Sequence, residues 1–268
     1  MSLGEAAALF RGARCAVALT GAGLSTESGL PDFRSPGGLW AGVDPMRVAS
    51  LTAFRDRPED FYAFYRKRLS LLRHAVPNPA HLALARLERI GRLQAVITQN
   101  VDGLHHAAGS QRVLEVHGTL RRAACPDCGR RTDIAVLDEA LADGRVPRCE
   151  TCGGAMKPDV VLFEELLPLD VFAEAEALCR RADLLLVVGS SLQVTPVAYL
   201  PQTVLDSGGR LIIVNHESTP FDPDAAVLIR SSAGMALPDL VALVEGGPDG
   251  AGEDEHGSSA AEGGAPHA

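Results

Sequence analysis

Aromatic residues are scarce. Phe, Trp and Tyr make up 4% of the 268 residues, and there is one Trp. That leaves little to stack on bases, which single-strand binders do with successive rings. Basic charge is in the minority too. Twenty-five Lys and Arg against 34 Asp and Glu give a net charge of −9, the wrong sign for a general nucleic-acid or membrane-surface binder. No apolar run approaches the roughly 20 residues that cross a bilayer. The opening "MSLGEAAALFRGARCAVAL" carries an early acid and neither a clear basic n-region nor a cleavage site, so no signal peptide is expected. These absences predict a soluble cytoplasmic protein with reduced thiols and no direct nucleic-acid or membrane partner; the sequence leaves the oligomeric state open, with a monomer favoured.

What is present supports a sizeable core: 46% of residues are apolar and 22% charged. Four short runs rich in Val, Ile and Leu read as strands: "CAVALT" (15–20), "LQAVIT" (93–98), "LLLVVG" (184–189) and "RLIIVN" (210–215). Helix-like patterns alternate with them, as in a parallel sheet buried on both faces. The predicted class is α/β, a doubly wound, Rossmann-like sheet domain with a smaller inserted lobe. Residues 1–43, 81–118 and 163–245 are assigned to the sheet domain. Residues 44–80 form a helical insertion and 119–162 a cysteine-bearing one. The segment 246–268 is an acidic Gly/Ala/Ser-rich tail expected to be disordered.

Two C-x2-C pairs, "CPDC" (125–128) and "CETC" (149–152), are separated by twenty residues and each is followed by Gly. Cys125, Cys128, Cys149 and Cys152 can close a tetrahedron around zinc, and four thiolates leave no position for water, so such a zinc is structural. Cys15 and Cys179 stand alone and read as small core residues.

In a doubly wound sheet, ligands bind outside the carboxyl ends of the strands. All four runs end there in glycine or polar residues. The first is followed by "GAGLST", which has Gly21 and Gly23 but Thr26 where G-x-G-x-x-G has its last glycine. The acid that should end a second strand about 20 residues later is missing. Gly21, Ala22 and Gly23 still let backbone N–H groups approach a pyrophosphate, with Ser25 and Thr26 adding hydroxyls. Phe33 and Arg34 follow at once. "TQNVDGLHHAAG" (98–109) sets Gln99, Asn100 and Asp102 at one strand end, around Val101. Gly189, Ser190 and Ser191 form a second small-residue turn, and Asn215 ends a further strand; singly, such residues are usually caps. Together they make a polar cleft of dinucleotide length. His117, just before Gly118, is a candidate general base. His105 and His106 read as helix-surface or capping residues.

"TGAGLSTESGLPDFRS", "TQNVDGLHHAAG", "EVHG", the cysteine pairs, "KPDVVLFEE", "VVGSSLQVTPVA" and "IIVN" stand in the order and spacing of the sirtuins, the NAD-dependent protein lysine deacylases. The chain resembles that family over about residues 10–245, and most resembles a bacterial member of the deacetylase type. The resemblance implies that NAD is consumed as a co-substrate, with nicotinamide, O-acetyl-ADP-ribose and free lysine as products. It places Gln99, Asn100, Val101 and Asp102 at the nicotinamide and its ribose. Gly21, Ala22, Gly23, Ser25, Thr26, Phe33 and Arg34 would close over NAD, and Gly189, Ser190, Ser191, Asn215 and Ala233 would hold the adenosine half. His117 would take a proton from a ribose hydroxyl. An acyl-lysine protein would bind as an added strand, with Val160, Val161, Phe163, Glu164 and Val194 around the acyl-lysine tunnel.

Two departures from the pattern stand out. Glu164 replaces the glycine of F-G-E, a strained substitution if that position has positive φ. Ser190 replaces the usual Thr and keeps a hydroxyl. Tyr65 and Arg68, at i and i+3, resemble the pair by which some sirtuins hold a succinyl or malonyl carboxylate. Alternatively they decorate a solvated basic helix, as Arg66 and Lys67 do. Deacetylation is the first expectation and desuccinylation the second. A non-catalytic NAD or ADP-ribose binding module and a mono-ADP-ribosyltransferase stay open as further alternatives.

Overall fold

A computed structural model describes residues 2–247. The predicted tail, from residue 248 on, lies outside the described residues. The large sheet uses six strands: β1 (Ala16–Thr20), β2 (Ala95–Thr98), β3 (Val113–Glu115), β7 (Leu184–Val188), β8 (Arg210–Val214) and β9 (Val227–Ile229). Their spatial order is β3-β2-β1-β7-β8-β9, and every pairing is parallel. Between β7 and β3 in sequence lies a second, antiparallel sheet of β4 (Gly118–Ala124), β5 (Arg131–Asp133) and β6 (Lys157–Val160), in the order β5-β4-β6.

Alternate residues of β1 face opposite cores. Ala16 and Ala18 pack with helices α1 (Leu3–Gly12), α5 (Pro79–Arg89) and α10 (Ala233–Glu245). Val17 and Leu19 pack with α8 (Leu169–Arg181) and α9 (Leu200–Asp206). Strands covered on both faces need no polar residue inside, which is why β1, β2 and β7 are buried throughout. Helix starts are well defined. Ser2 and Glu5 form a capping box on α1, and Asn78 accepts from the N–H groups of Ala80 and His81 ahead of Pro79 on α5.

A third core joins the two insertions. Phe61, Tyr62, Tyr65 and Leu69 of α4 (Pro58–Leu72) pack with Leu137 and Leu141 of α7 (Ile134–Ala142), Leu120, Cys125, Cys149, Val160 and Leu162. The short helices α2 (Pro45–Val48) and α3 (Leu51–Asp56) lead into α4, and α6 (Leu104–Ala107) follows β2.

The strand order reverses between β1 and β7, the place where a doubly wound sheet opens a crevice. Here the two turns touch through backbone. Gly21 N–H donates to Val188 O at 3.0 Å and Gly23 N–H to Gly189 O at 2.9 Å. A Cβ on Gly21 would lie 2.7 Å from Gly189 O, and one on Gly189, whose φ is +59°, would lie 2.2 Å from Leu24 N. Gly189→Ala therefore combines left-handed strain, about 1–3 kcal/mol, with a backbone clash of similar size. The expected outcome is a loss of roughly 3 kcal/mol, read as a clearly lower thermal midpoint in calorimetry, together with lost dinucleotide binding.

Candidate active site

Four loops converge on the crevice. At the end of β2, Asn100 is buried and its Nδ2 donates to Gly21 O (3.1 Å) and to Ser25 Oγ (3.0 Å). Ser25 Oγ donates in turn to Asp102 Oδ2 at 2.8 Å, and Asp102 Oδ1 accepts from Leu104 N at 2.9 Å. Burial pushes the Asp102 carboxyl upward, opposed by these two hydrogen bonds and by the Arg68 charge. Gln99 Nε2 reaches the next loop and donates to Ser190 Oγ at 2.8 Å. Arg34 Nη1 meets Ser191 Oγ at 3.4 Å. The sheet-end residues thus form one hydrogen-bonded assembly spanning β1, β2 and β7. Ala22, Ser25, Phe33, Asn100, Val101 and Asp102 line a single cleft at one end of this assembly. Thr26 is exposed and turned onto its own loop, donating to Gly23 O at 3.0 Å.

Farther along the sheet edge, Asn215 Nδ2 donates one hydrogen to Glu217 O at 2.9 Å, which fixes its side chain against its own turn. Ala233 opens α10.

His117 lies between the two sheets. Its Nδ1 is 3.1 Å from Gln99 O. A carbonyl only accepts, so Nδ1 carries the hydrogen and Nε2 keeps its lone pair. Burial pushes the imidazole pKa below its ordinary value, against a smaller opposing effect of the Gln99 contact. The ring is therefore neutral at pH 7 with a basic nitrogen available, the state a general base requires.

On the far side, Val161 N donates to His117 O (2.9 Å), and Phe163 is pinned at both backbone groups. Its N–H donates to Ala49 O and its C=O accepts from Leu51 N, each at 3.0 Å. Glu164 has φ +75°, so the position where the family keeps glycine is left-handed here as well. Its carboxylate accepts from Thr52 N (2.8 Å) and Thr52 Oγ1 (3.1 Å), contacts that hold the carboxyl below its usual range. Phe163 is exposed, and Val161 and Val194 are half-buried. Val160 departs from expectation. It is 4% exposed and packed in the small-lobe core, because strand alternation turns it away from its neighbour Val161.

Two further expectations change. His105 is no surface residue: it is 2% exposed, beneath β1 and β2, with Nε2 2.9 Å from Thr20 Oγ1. Burial drives its pKa down to about 3, and that of His81, whose ring centre lies 4.9 Å away at a 60° tilt, down to about 4. Sequence reasoning passed over His81 altogether; the Asn78-Pro79 helix start three residues earlier was the signal that its side chain turns inward. Nor does Arg68 decorate a solvated helix. It lines the cleft with Asn100 and Asp102, its guanidinium 5.5 Å from the Phe33 ring centre, above a Tyr65 that is 2% exposed. Arg66 and Lys67 are exposed, as predicted.

The four paired cysteines meet. Their sulfurs all lie within 4.8 Å of one another, with Cys125–Cys152 at 3.4 Å and Cys128–Cys149 at 3.6 Å. Tetrahedral zinc with Zn–S bonds of about 2.3 Å sets sulfurs about 3.8 Å apart. The two turns are equivalent: Gly129 N bonds to Cys125 O and Gly153 N to Cys149 O, with both glycines left-handed. This donor set fits a closed structural zinc.

The sequence profile of the Sir2 family matches residues 21–196. The chain belongs to the Sir2 family. It is 46% identical over 231 residues to an NAD-dependent protein deacetylase of Sulfurisphaera tokodaii, covering 86% of this chain and 91% of that one. It is 45% identical over 246 residues to an NAD-dependent protein deacylase of Thermococcus kodakarensis, covering 91% and 96%. A solved Sir2 structure with a p53 peptide and NAD+ superposes with a TM-score of 0.83 at 39% identity, covering 90% of this chain and 98% of that one. Among the described residues, no helix is long and apolar enough to cross a membrane.

The Sir2 site yields two expected outcomes. Metal analysis of the purified chain should give one zinc per chain, and chelation should unfold the small lobe while the Cys15 and Cys179 thiols bind none. Stability should also fall in mild acid. His81 and His105 titrate lower when folded than the ordinary 6.5, so the unfolded chain binds more protons below that pH. Their contribution is complete above about pH 6.5 and is lost as pH falls from there toward 4, at up to about 1.4 kcal/mol per pH unit for each ring. Urea titrations at pH 7 and pH 5 measure it, and His105→Gln should flatten the difference.

Proposed function

We propose that this Sir2 protein removes acyl groups from protein lysines with NAD as co-substrate, and that acetyl is its first substrate. The carrying observation is His117, neutral, with Nδ1 fixed on Gln99 O and Nε2 free, beside the Asn100–Ser25–Asp102 assembly. NAD supplies the ADP-ribosyl group that accepts the acyl group, and nicotinamide, O-acyl-ADP-ribose and free lysine are the products. His117 Nε2 takes the proton of a ribose hydroxyl. Asn100 and Asp102, joined through Ser25, hold the nicotinamide and its ribose and keep bulk water from that end of the cleft. Gly21, Gly23, Ser190 and Ser191 carry the pyrophosphate and adenosine half.

The acylated polypeptide adds as a strand between residues 161–165 and 192–195. Glu164 offers it a backbone N–H and C=O that bond to no other described residue, since Phe163 has spent both of its own on Ala49 and Leu51. The zinc holds the small lobe and touches no reacting atom. Main-chain pairing reads little sequence, which suits a range of protein substrates.

A second reading has its own support. Arg68 enters the cleft as its cation, above Tyr65 and against Phe33. A succinyl or malonyl carboxylate would pair with it.

Mass spectrometry with NAD and matched acetyl- and succinyl-lysine peptides tests both readings. Acetyl loss with O-acetyl-ADP-ribose formed is the expected result. His117→Ala should abolish turnover, by at least about a thousandfold, with NAD still bound; retained turnover would remove His117 from the mechanism. Any desuccinylation should fall at least about tenfold in Arg68→Met.

A further inference from the structure

Lysine is rare in this chain. It occurs only at Lys67 and Lys157, and the other 23 basic residues are Arg. Lys67 is exposed on α4. Lys157, the first residue of β6, is 7% exposed. A charge that far from water needs partners, and Lys157 has one for each of its three ammonium hydrogens. Nζ lies 2.7 Å from Val160 O, 3.0 Å from Glu165 Oε2 and 3.4 Å from Pro158 O. Glu165 completes a clasp. Its Oε2 also accepts from Leu162 N at 2.9 Å, and its own N–H donates to Leu162 O at 3.0 Å. Both ends of the segment 160–165 are therefore tied to one ammonium. The clasp also reaches His117. Val160 C=O and Val161 N–H belong to one rigid peptide unit. Lys157 holds its oxygen, and its N–H donates to His117 O at 2.9 Å. Fixing both edges of that plane fixes where the segment runs relative to His117.

We propose that Lys157 and Glu165 are positioning residues, whose buried ion pair sets the segment 161–165, the one that receives the acyl-peptide, at a fixed distance from His117. They act on the substrate only through Val160, Val161 and Leu162. The kind of cation matters as well as its charge. Three oxygens converging on one point suit a compact ammonium, whereas a guanidinium sets its donors in a wider planar fork. That fits the presence of a lysine here, in a chain that uses arginine almost everywhere else.

The clasp stands on hydrogen-bond geometry, while its purpose rests on the proposed NAD-dependent deacylation. Two measurements separate them. In the unaltered full chain labelled with 15N-lysine, NMR has two side chains to report. At pH 7 the Lys157 ammonium hydrogens should exchange slowly enough to be seen and those of Lys67 should not, and the Lys157 signal should move when an acetyl-lysine peptide is added. Calorimetry should show roughly tenfold weaker binding of that peptide to Lys157→Met and to Lys157→Arg, with NAD affinity and zinc content unchanged. The double variant Lys157→Met/Glu165→Leu removes both charges. It should regain the thermal stability lost in Lys157→Met while its peptide affinity stays low. A pair that only holds the fold together gives the opposite result, with peptide affinity returning as stability does. That return, unchanged peptide affinity in Lys157→Met, or Lys157 hydrogens that exchange as fast as those of Lys67 would overturn the proposal. A single variant that fails to fold leaves the double variant and the NMR to decide. An unaltered chain with the slow Lys157 signal that binds no acyl-peptide would sink the deacylase reading instead.

Discussion

The contact on which the site depends is the approach of Gly21 and Gly23 to Gly189, close enough that no Cβ fits between them. A doubly wound sheet must split its loops at the switch point, and the size of the crevice is set by how closely the two strand ends approach before they part. With glycine on both sides, β1 and β7 stay joined by backbone bonds one residue beyond the sheet. Their following loops then diverge from a common floor. Asn100 can reach Gly21 O and Gln99 can reach Ser190 only because that floor is so compact. Larger residues at these turns would separate the halves of the dinucleotide site from each other.

Burial then decides the charge states. His117, His81 and His105 are all pushed toward neutrality by removal from water, but the results differ with their hydrogen bonds. His117 gives one nitrogen to a backbone carbonyl and leaves the other unbonded among the described residues, so it can take a proton. His105 lies against Thr20 and has no path to the cleft, so the same neutrality makes it a structural part. Asp102 experiences the opposite sign of the same effect, opposed by Ser25 and Leu104 N–H. Identical residue types therefore do different work according to which of their polar atoms the fold uses first.

The central strands were readable because burial on both faces leaves continuous apolar runs, and the cysteines were readable because their spacing itself encodes the turn geometry. The edge strands β3 and β9 are only three residues each, too short to stand out as strands, so they went unread. Helix α7, inside the cysteine-bearing insertion, was also missed, since only Leu137, Ala140 and Leu141 of its residues are buried. Glycines, amides and His117 suggested a dinucleotide cleft by residue type alone. The inward turns of His105 and Arg68 had no local signature: one is fixed by Thr20, 85 positions away, the other by Phe33 on a distant loop. Val160 and Val161 were grouped because they are adjacent, whereas strand alternation sends them to opposite sides.

Glu164 shows how a fold can accommodate a departure from a family pattern. A left-handed non-glycine residue costs roughly 1–3 kcal/mol. Against that, its carboxylate accepts two hydrogen bonds from Thr52, one of them from a backbone N–H in the first turn of α3 that would otherwise lack an intrahelical partner. Water screens these contacts at so exposed a carboxylate, but they act in the direction that opposes the strain. The left-handed turn is kept without glycine, and its side chain is held against the first turn of α3.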